Sequence, residues 1–185
     1  MERRRIFVDI GKVIIDRKNP GGEHSYLGGD HRFSPQIPGA FTGIKQLIEQ
    51  GDDVILNSVA QEEYRAKDRD WFIYNRFEWH TSLRVDGDHV KYCSKRWQKA
   101  MIADGLAVTH VVDDRLEAIS YFSRIKSVRQ LFLFNPIEAD ALECSRSFPR
   151  VNIVYTWEML VHAHLLKKTF PLPLFERGSA TAGAP

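Results

Sequence analysis

Residues 6–15 read IFVDIGKVII, and this stretch decides the fold because a short apolar run ends in a carboxylate, Asp9. Buried strands of a parallel sheet are typically short apolar runs bounded by turn signals. A second run at residues 111–114 reads VVDD and ends in Asp113 and Asp114. In an open α/β sheet, ligands bind outside the carboxyl ends of the strands. We therefore expect carboxylates that lie far apart in sequence to meet in one crevice.

The residue types at these strand ends indicate metal and phosphate chemistry. Carboxylates around an oxygen-rich space suit a hard cation such as Mg²⁺, which takes few protein ligands and usually bridges to substrate phosphate. A strand-end aspartate such as Asp9 can also attack phosphorus and form an aspartyl-phosphate intermediate. This attack requires neutralisation of the substrate's negative charge by a metal ion, an ammonium group or a hydroxyl group.

Two further residues are candidates for that neutralisation. Ser58 ends the second apolar strand, and Lys99 lies in a helix that leads into the strand carrying Asp113 and Asp114. Taken singly, each of these residues is also explained as a helix cap, a turn residue or a solvated surface charge. Their joint order on the alternating elements of one fold favours a functional site.

Composition and net charge limit the classes of protein to which the chain can belong. The chain has 185 residues, of which 43% are hydrophobic and 27% charged, as in ordinary globular domains. Its formal net charge of +2 gives no strong attraction to nucleic acid or to a membrane surface. The cysteines, Cys93 and Cys144, have no metal-like spacing, so we expect two reduced thiols in a cytoplasmic protein. No secretory signal or transmembrane span is predicted.

Strand-like and helix-like segments alternate along the chain. Strands are predicted at residues 4–9, 54–56, 109–112, 130–134 and 151–155, and helices at 38–51, 61–74, 95–105, 116–122 and 157–167. Right-handed crossovers between such units produce a parallel sheet with helices on both faces. We expect about five strands, with the Asp9 strand central and flanked by the strands of Ser58 and Asp113. Neither a dinucleotide-binding GxGxxG nor a P-loop is present.

The order of these motifs resembles the haloacid dehalogenase (HAD) superfamily of phosphohydrolases. Its first motif is similar to residues 6–13, its second to residues 54–58, its third to Lys99 and its fourth to residues 111–114. A more specific likeness is to a HAD-like group with DIGGVI and THFVDDRLEVL motifs. These stand here as DIGKVI at residues 9–14 and as THVVDDRLEAI at residues 109–119.

The resemblance implies a three-layer, HAD-like Rossmannoid α/β fold with a minimal cap, as one domain over residues 1–170 and a flexible tail over 171–185. The inserts after the first and second motifs are too short for a full cap domain, which implies an open site. A neighbouring subunit is an alternative source of a lid for that site. Phe77, Trp79 and His80 either line the mouth of that site or pack as core aromatics.

The resemblance also implies an activity. It is that of a Mg²⁺-dependent phosphohydrolase with an aspartyl-phosphate intermediate, in which Asp9 is the nucleophile and Ser58 and Lys99 are catalytic. Mg²⁺ would be held by Asp9, the Gly11 carbonyl and Asp114, with Asp113 as an outer ligand that orients its neighbours. The substrate would be a small phosphate ester. Nucleotides are among the candidates, because a DDR segment also occurs in the deoxyribonucleotidase-like branch.

One departure from the family pattern matters for the chemistry. Family phosphatases have a second aspartate two residues after the nucleophile, and this chain has Gly11 there, followed by Lys12 in place of the usual glycine. Glycine cannot transfer a proton, and such transfer typically contributes 10²–10⁴-fold to the rate. Candidate substitutes in the following loop are Glu23, His24, Asp30 and His31. The alternative is a catalytically impaired HAD-like protein that binds a phosphorylated ligand or partner through Ser58, Lys99 and the metal site.

Overall fold

Six parallel strands form the centre of the molecule. The computed structural model describes residues 4–17, 26–27 and 29–166. The strands are β1 (Arg5–Asp9), β2 (Asp53–Val59), β3 (Val90–Cys93), β4 (His110–Asp113), β5 (Gln130–Phe134) and β6 (Val151–Val154). Their order in the sheet is β3-β2-β1-β4-β5-β6, and every pairing is parallel. The prediction that the Asp9 strand lies between the Ser58 and Asp113 strands is therefore confirmed, with six strands instead of about five.

Seven helices cover the two faces of this sheet in the described part of the chain. They are α1 (Ala40–Glu49), α2 (Glu62–Tyr74), α3 (Phe77–Thr81), α4 (Arg96–Gly105), α5 (Leu116–Phe122), α6 (Glu138–Ser147) and α7 (Trp157–Leu166), with a short 3-10 helix at His31–Phe33. Side chains alternate along β1 as strand geometry requires. Ile6 and Val8 pack with α1, α2, α3 and α7, whereas Phe7 packs with α4, α5 and α6. The three-layer α/β architecture is confirmed.

Two helix boundaries follow the local sequence signals. Gly51 has a φ of 84° just after α1, a left-handed conformation that glycine adopts without steric cost. At the start of α7, the hydroxyl of Thr156 accepts a hydrogen bond from the Met159 backbone N–H at 3.1 Å. This satisfies one of the free amides of the first turn, as expected for an N-cap threonine.

The sequence did not predict β3, α3 and α6. β3 is a short edge strand in which Lys91 and Tyr92 are half-buried, so it lacks the continuous apolar run of a central strand. In α6 only Ala141 and Cys144 are buried, which leaves a weak helical pattern. α3 packs mainly on α1, so the segment between β2 and β3 belongs to the body of the domain.

Cys93 and Cys144 are both free, as predicted. No helix among the described residues is long and apolar enough to cross a membrane. The proposed flexible tail, residues 171–185, lies outside the described residues, as do the loop residues Glu23 and His24.

Candidate active site

The carboxyl ends of three neighbouring strands bring the predicted site residues together. Asp9 ends β1, Ser58 lies near the end of β2, and Asp113 ends β4. Because β1 pairs in parallel with both neighbours, with Asp9 opposite Asn57, these side chains share one edge of the sheet. All three are buried, with exposed fractions of 6% for Asp9, 2% for Ser58 and 0% for Asp113.

Lys99 joins two of these strands through its ammonium group. It lies on α4 and is 4% exposed. Its Nζ donates to Oδ1 of Asp9 at 2.6 Å and to Oδ2 of Asp113 at 2.7 Å. Burial lowers the pKa of Lys99, but the two carboxylates more than compensate, so this pKa lies above its ordinary value. Lys99 therefore stays protonated at neutral pH and acts as a fixed positive charge, not as a base.

Both carboxylate oxygens of Asp113 are engaged by the protein. Oδ2 accepts from Lys99, and Oδ1 accepts from the backbone N–H of Arg115 at 3.0 Å. Burial raises the pKa of Asp113 to about 6, against the opposing effect of Lys99. Asp113 is thus held from two sides, and the outer role that the resemblance implies for it stays a prediction.

Asp114 has a different environment. Its Oδ2 lies 4.0 Å from Nζ of Lys12 and 3.4 Å from Nε of Arg115. Burial, followed by the charges of Asp9 and Asp113, raises the pKa of Asp114 to about 7. Two neighbouring carboxylates that are not fully neutralised thus make ionisation of Asp114 costly, and a bound cation would remove that cost.

The donor atoms at this edge of the sheet fit a hard cation. Asp9, Asp113 and Asp114 offer carboxylate oxygens that all lie within 4.8 Å of one another. Gly11 lies two residues after Asp9 and lines the same cavity as Asp9 and Asp114. Its carbonyl is not used in the local bridge, where Lys12 N–H donates to the Ile15 carbonyl and Ile15 N–H donates to the Ile10 carbonyl. Oxygen donors of this kind suit Mg²⁺ or Ca²⁺ better than a softer transition metal.

A small cavity of about 130 Å³ opens onto these groups. It is lined by Asp9, Gly11, Lys12, Arg17, Ser58, Val59, Arg96, Lys99, Asp114 and Arg115. Five of these side chains are basic and two are carboxylates, so the cavity complements an anion even beside the acidic cluster. The predicted residues Asp9, Gly11, Ser58, Lys99 and Asp114 all line it, and Asp113 lies just behind Lys99.

The sequence did not point to Arg17, which is the main addition made by the structure. Its guanidinium lies against Gly11. In the turn after β1, the residue with left-handed backbone is Lys12, with a φ of 62°, and not Gly11. A signal for Arg17 existed indirectly in α2. Asp68 occurs on the helix face that also carries Trp71 and Phe72, and a buried aspartate needs a cationic or hydrogen-bonding partner.

The described loop candidates for a general acid do not reach the cavity. Asp30 binds Arg32, with an Nη2–Oδ2 distance of 2.5 Å, and His31 Nε2 lies 3.6 Å from Asp70 Oδ2. Neither Asp30 nor His31 lines the cavity around Asp9. Glu23 and His24 lie outside the described residues, so their role stays a prediction.

The aromatic cluster proposed for the mouth of the site lies elsewhere. Phe77 is fully buried against Phe41, with ring centroids 5.1 Å apart, and His80 packs on the same Phe41 ring at 5.7 Å. Trp79 is 82% exposed. None of the three lines the cavity around Asp9, so the core interpretation is correct for Phe77 and the mouth interpretation is wrong.

Comparison with known proteins identifies the fold. No family model matches the chain, and no curated protein matches it either. Among solved structures, the chain is similar to D,D-heptose 1,7-bisphosphate phosphatase from B. bronchiseptica, a HAD-family enzyme crystallised with magnesium and phosphate. The TM-score is 0.66 at 13% sequence identity, and the match covers 89% of this chain and 99% of that chain. The chain has a HAD-like fold. Within this HAD-like fold, the likeness to the group with DIGGVI motifs stays a prediction.

Proposed function

We propose that this protein is a Mg²⁺-dependent phosphohydrolase that forms an aspartyl-phosphate on Asp9. The observation that carries the proposal is the contact of Lys99 with both Asp9 and Asp113 beside a small, basic cavity. A buried lysine that holds a carboxylate at the floor of an anion-sized space positions a nucleophile and lowers the repulsion that an approaching phosphate dianion meets. The magnesium and phosphate with which the similar phosphatase was crystallised support the same chemistry.

The chain's own residues have separate roles in this mechanism. Asp9 accepts Lys99 on Oδ1, so its other oxygen is the one to attack phosphorus. The Asp9–phosphorus bond forms as the bond to the leaving oxygen breaks. Ser58 is buried at the wall of the cavity and can donate its hydroxyl to a phosphoryl oxygen. A water molecule then attacks phosphorus, and the Asp9 carboxylate is released.

Mg²⁺ would be held by Asp9, the Gly11 carbonyl and Asp114, and Asp113 would orient Lys99 and Asp114 from behind. When bound, the ion supplies charge neutralisation for the phosphoryl oxygens and for the crowded carboxylates. The proposed substrates are small phosphate compounds, and nucleoside monophosphates belong in the first screen because of the DDR segment at residues 113–115.

The test is an arrayed screen of phosphate esters and acyl phosphates with and without Mg²⁺. Wild type is compared with Asp9→Asn, which keeps the shape of the side chain but removes the nucleophile. A matched control is Asp104→Asn, which neutralises an exposed carboxylate on α4, the helix of Lys99. We expect phosphate release by wild type and Asp104→Asn and its loss in Asp9→Asn. Equal release by Asp9→Asn and wild type would refute the nucleophilic role of Asp9.

A second candidate function is favoured by one observation. No acidic side chain stands at position 11, and the guanidinium of Arg17 fills the adjoining space. The site would then be a phosphate-binding module that uses Ser58, Lys99 and the metal for recognition of a phosphorylated ligand or partner. Binding of inorganic phosphate in the presence of Mg²⁺, measured by calorimetry, without turnover of any compound in the screen, would support this candidate over the enzyme.

A further inference from the structure

Arg17 occupies the space in which a side chain at position 11 would lie. A Cβ atom built on Gly11 would be 3.0 Å from Nη1, 3.2 Å from Cζ and 3.3 Å from Cδ of Arg17. Arg17 and Gly11 line the same cavity as Asp9 and Asp114. A guanidinium therefore faces the nucleophile from the position where a HAD-like phosphatase would carry its proton donor.

A buried anchor holds Arg17 in this position. Its Nη2 lies 2.5 Å from Oδ1 of Asp68, which is fully buried on α2. The Tyr26 hydroxyl donates to the same Asp68 oxygen at 2.5 Å, and the Arg17 guanidinium stacks 4.1 Å from the centroid of the Tyr26 ring. The Tyr26 hydroxyl and the Arg17 guanidinium thus converge on one carboxylate, which fixes the orientation of the guanidinium before any ligand binds.

The anchor leaves part of the guanidinium unused. The Nε–H of Arg17 is buried without a hydrogen-bond partner in the described part of the chain. The side chain as a whole keeps 18% of its surface exposed, on the side of the cavity. A buried donor without an acceptor is costly, so the anchor on Asp68 does not satisfy the whole guanidinium.

Arginine at this position supplies charge and cannot supply a proton. The guanidinium cannot be deprotonated in ordinary protein environments. It can, however, stabilise an oxyanion through parallel N–H donors. A leaving group that departs beside Arg17 is therefore stabilised as an anion without being protonated.

From this geometry we infer that the site acts on anhydrides of phosphoric acid, such as acyl phosphates and pyrophosphates, with Arg17 receiving the anionic leaving group. This inference rests on the proposed phosphohydrolase function. The carboxylate or phosphate that leaves such a compound is already stable as an anion, so no general acid is needed. The negative charge of this leaving group also suits the other basic side chains of the cavity, Lys12, Arg96 and Arg115.

The reaction balances without a proton donor at position 11. In the first step the Asp9 oxygen bonds to phosphorus, and the electron pair of the broken phosphorus–oxygen bond stays on the leaving carboxylate or phosphate. In the second step water bonds to phosphorus, and the electron pair of the Asp9–phosphorus bond returns to the Asp9 carboxylate. One proton of that water remains on the hydrogen phosphate product and the other passes to solvent.

The experiment measures how the rate depends on the leaving group. Acetyl phosphate and pyrophosphate are compared with glycerol 3-phosphate, and a series of aryl phosphates supplies the slope of log kcat/KM against leaving-group acidity. We expect a steep slope and a preference for acetyl phosphate over glycerol 3-phosphate of at least about 10²-fold, the scale of an absent general acid. A flat slope, with glycerol 3-phosphate turned over as fast as acetyl phosphate, would overturn the inference.

Variants of Arg17 test whether this side chain stabilises the leaving group. Arg17→Met leaves Asp68 buried without its partner and can fail to fold, so the informative protein is Arg17→Met combined with Asp68→Asn. Asp68→Asn alone is the matched control. We expect the double variant to lose about 10-fold or more in kcat/KM for acetyl phosphate relative to that control, on the scale of one lost hydrogen bond to a charged group. Unchanged kcat/KM in the folded double variant would exclude Arg17 from the reaction.

Asp9→Asn separates failure of this inference from failure of the proposed function. If wild type exceeds Asp9→Asn on every substrate but shows a flat slope, the phosphohydrolase assignment stands and the anhydride inference falls. If wild type and Asp9→Asn are equally inactive on all substrates, both fall together.

Discussion

Nζ of Lys99 lies 2.6 Å from Oδ1 of Asp9, although the two residues are 90 positions apart in the chain. The contact exists because α4 packs beside β2 and β3 and directs its buried lysine over the end of β1. The same Nζ donates a second hydrogen bond to Oδ2 of Asp113, at 2.7 Å. A single ammonium therefore holds two carboxylates that would otherwise repel each other in a buried place.

Removal of that ammonium should cost both stability and activity. We expect Lys99→Met to lower the free energy of unfolding by about 3 kcal/mol, because Asp9 and Asp113 lose their buried partner. The measurement is urea denaturation at neutral pH, with Lys99→Arg as the variant that keeps the charge. A loss in Lys99→Met no larger than about 0.5 kcal/mol, the range of ordinary surface substitutions, would contradict the structure.

The two neighbouring aspartates should differ in their effect on metal binding. Mg²⁺ at 100 times its dissociation constant should stabilise wild type by about 2.7 kcal/mol, seen as a rise in Tm. Asp114→Ala should abolish this rise, because Asp114 lines the cavity whereas both oxygens of Asp113 are held by the protein. If Asp113→Ala removes the rise and Asp114→Ala keeps it, the roles of the two residues are reversed.

An aspartate at position 11 should not restore an ordinary phosphatase. The new side chain would meet Arg17, whose nearest atom is 3.0 Å from the added Cβ, and an ion pair would keep the new carboxylate ionised. We expect Gly11→Asp to gain less than about tenfold on glycerol 3-phosphate, since proton transfer worth up to 10²–10⁴-fold needs a protonated acid. The activity assay is run beside a thermal melt, and a large gain in a stable Gly11→Asp protein would show that Arg17 leaves room for the acid.

His110 should contribute a loss of stability in mild acid, against the opposite contribution of Asp113 and Asp114, whose raised pKa values favour the folded state as the pH falls. Burial, with the nearby charges of His164 and Arg4, lowers the pKa of His110 to about 4, against the opposing effect of Asp52. The unfolded chain binds a proton on this histidine below pH about 6.5 and the native protein does not, so stability is lost as pH falls from about 6.5 to about 4. The full loss is about 3 kcal/mol, since one pKa unit corresponds to about 1.4 kcal/mol.

The measurement for His110 is urea denaturation between pH 7.5 and 4.5. His110→Gln is the control, because it keeps a polar side chain beside Thr109, whose Oγ1 lies 2.8 Å from Nδ1 of His110, and removes the titration. We expect the free energy of unfolding of this variant, measured relative to wild type, to rise by about 3 kcal/mol as the pH falls through this range. Asp52, whose pKa is lowered by hydrogen bonds from His164 and Arg4 despite burial, contributes its own loss only at lower pH. If the free energies of unfolding of wild type and His110→Gln depend on pH in the same way, the lowered pKa of His110 is contradicted.

Two helical glycines should respond in opposite ways to alanine. A Cβ on Gly43 in α1 would overlap the Trp157 ring, which is held by a 2.7 Å hydrogen bond from its Nε1 to the Val13 carbonyl. Gly43→Ala should cost about 1–3 kcal/mol by overpacking. Gly105→Ala, at the end of α4 with no atom within 4 Å of the added Cβ, should be neutral or stabilising by up to about 1 kcal/mol. Thermal melts of both variants give the comparison.

The elements that the sequence predicted are those with strong local patterns of apolar residues. Central strands such as β1 and β4 are buried on both faces and therefore appear as continuous apolar runs. The edge strand β3 and the helix α6 bury few side chains, so their local patterns are weak and they were not predicted. The aromatic cluster around Phe77 was ambiguous, because an aromatic residue near a site and one in a core have the same local sequence.

The sequence by itself determined the alternation of elements, the central place of the Asp9 strand and the convergence of Asp9, Ser58 and Asp113, because strand ends in a parallel sheet meet at one edge. Only the tertiary structure decided that Arg17 fills the space beside Gly11, since its position depends on Asp68, 51 residues away on α2. The difference between Asp113 and Asp114 was likewise decided by packing, which buries one behind Lys99 and exposes the other to the cavity. Local patterns specify elements, whereas side-chain direction and charge pairing depend on which elements pack together.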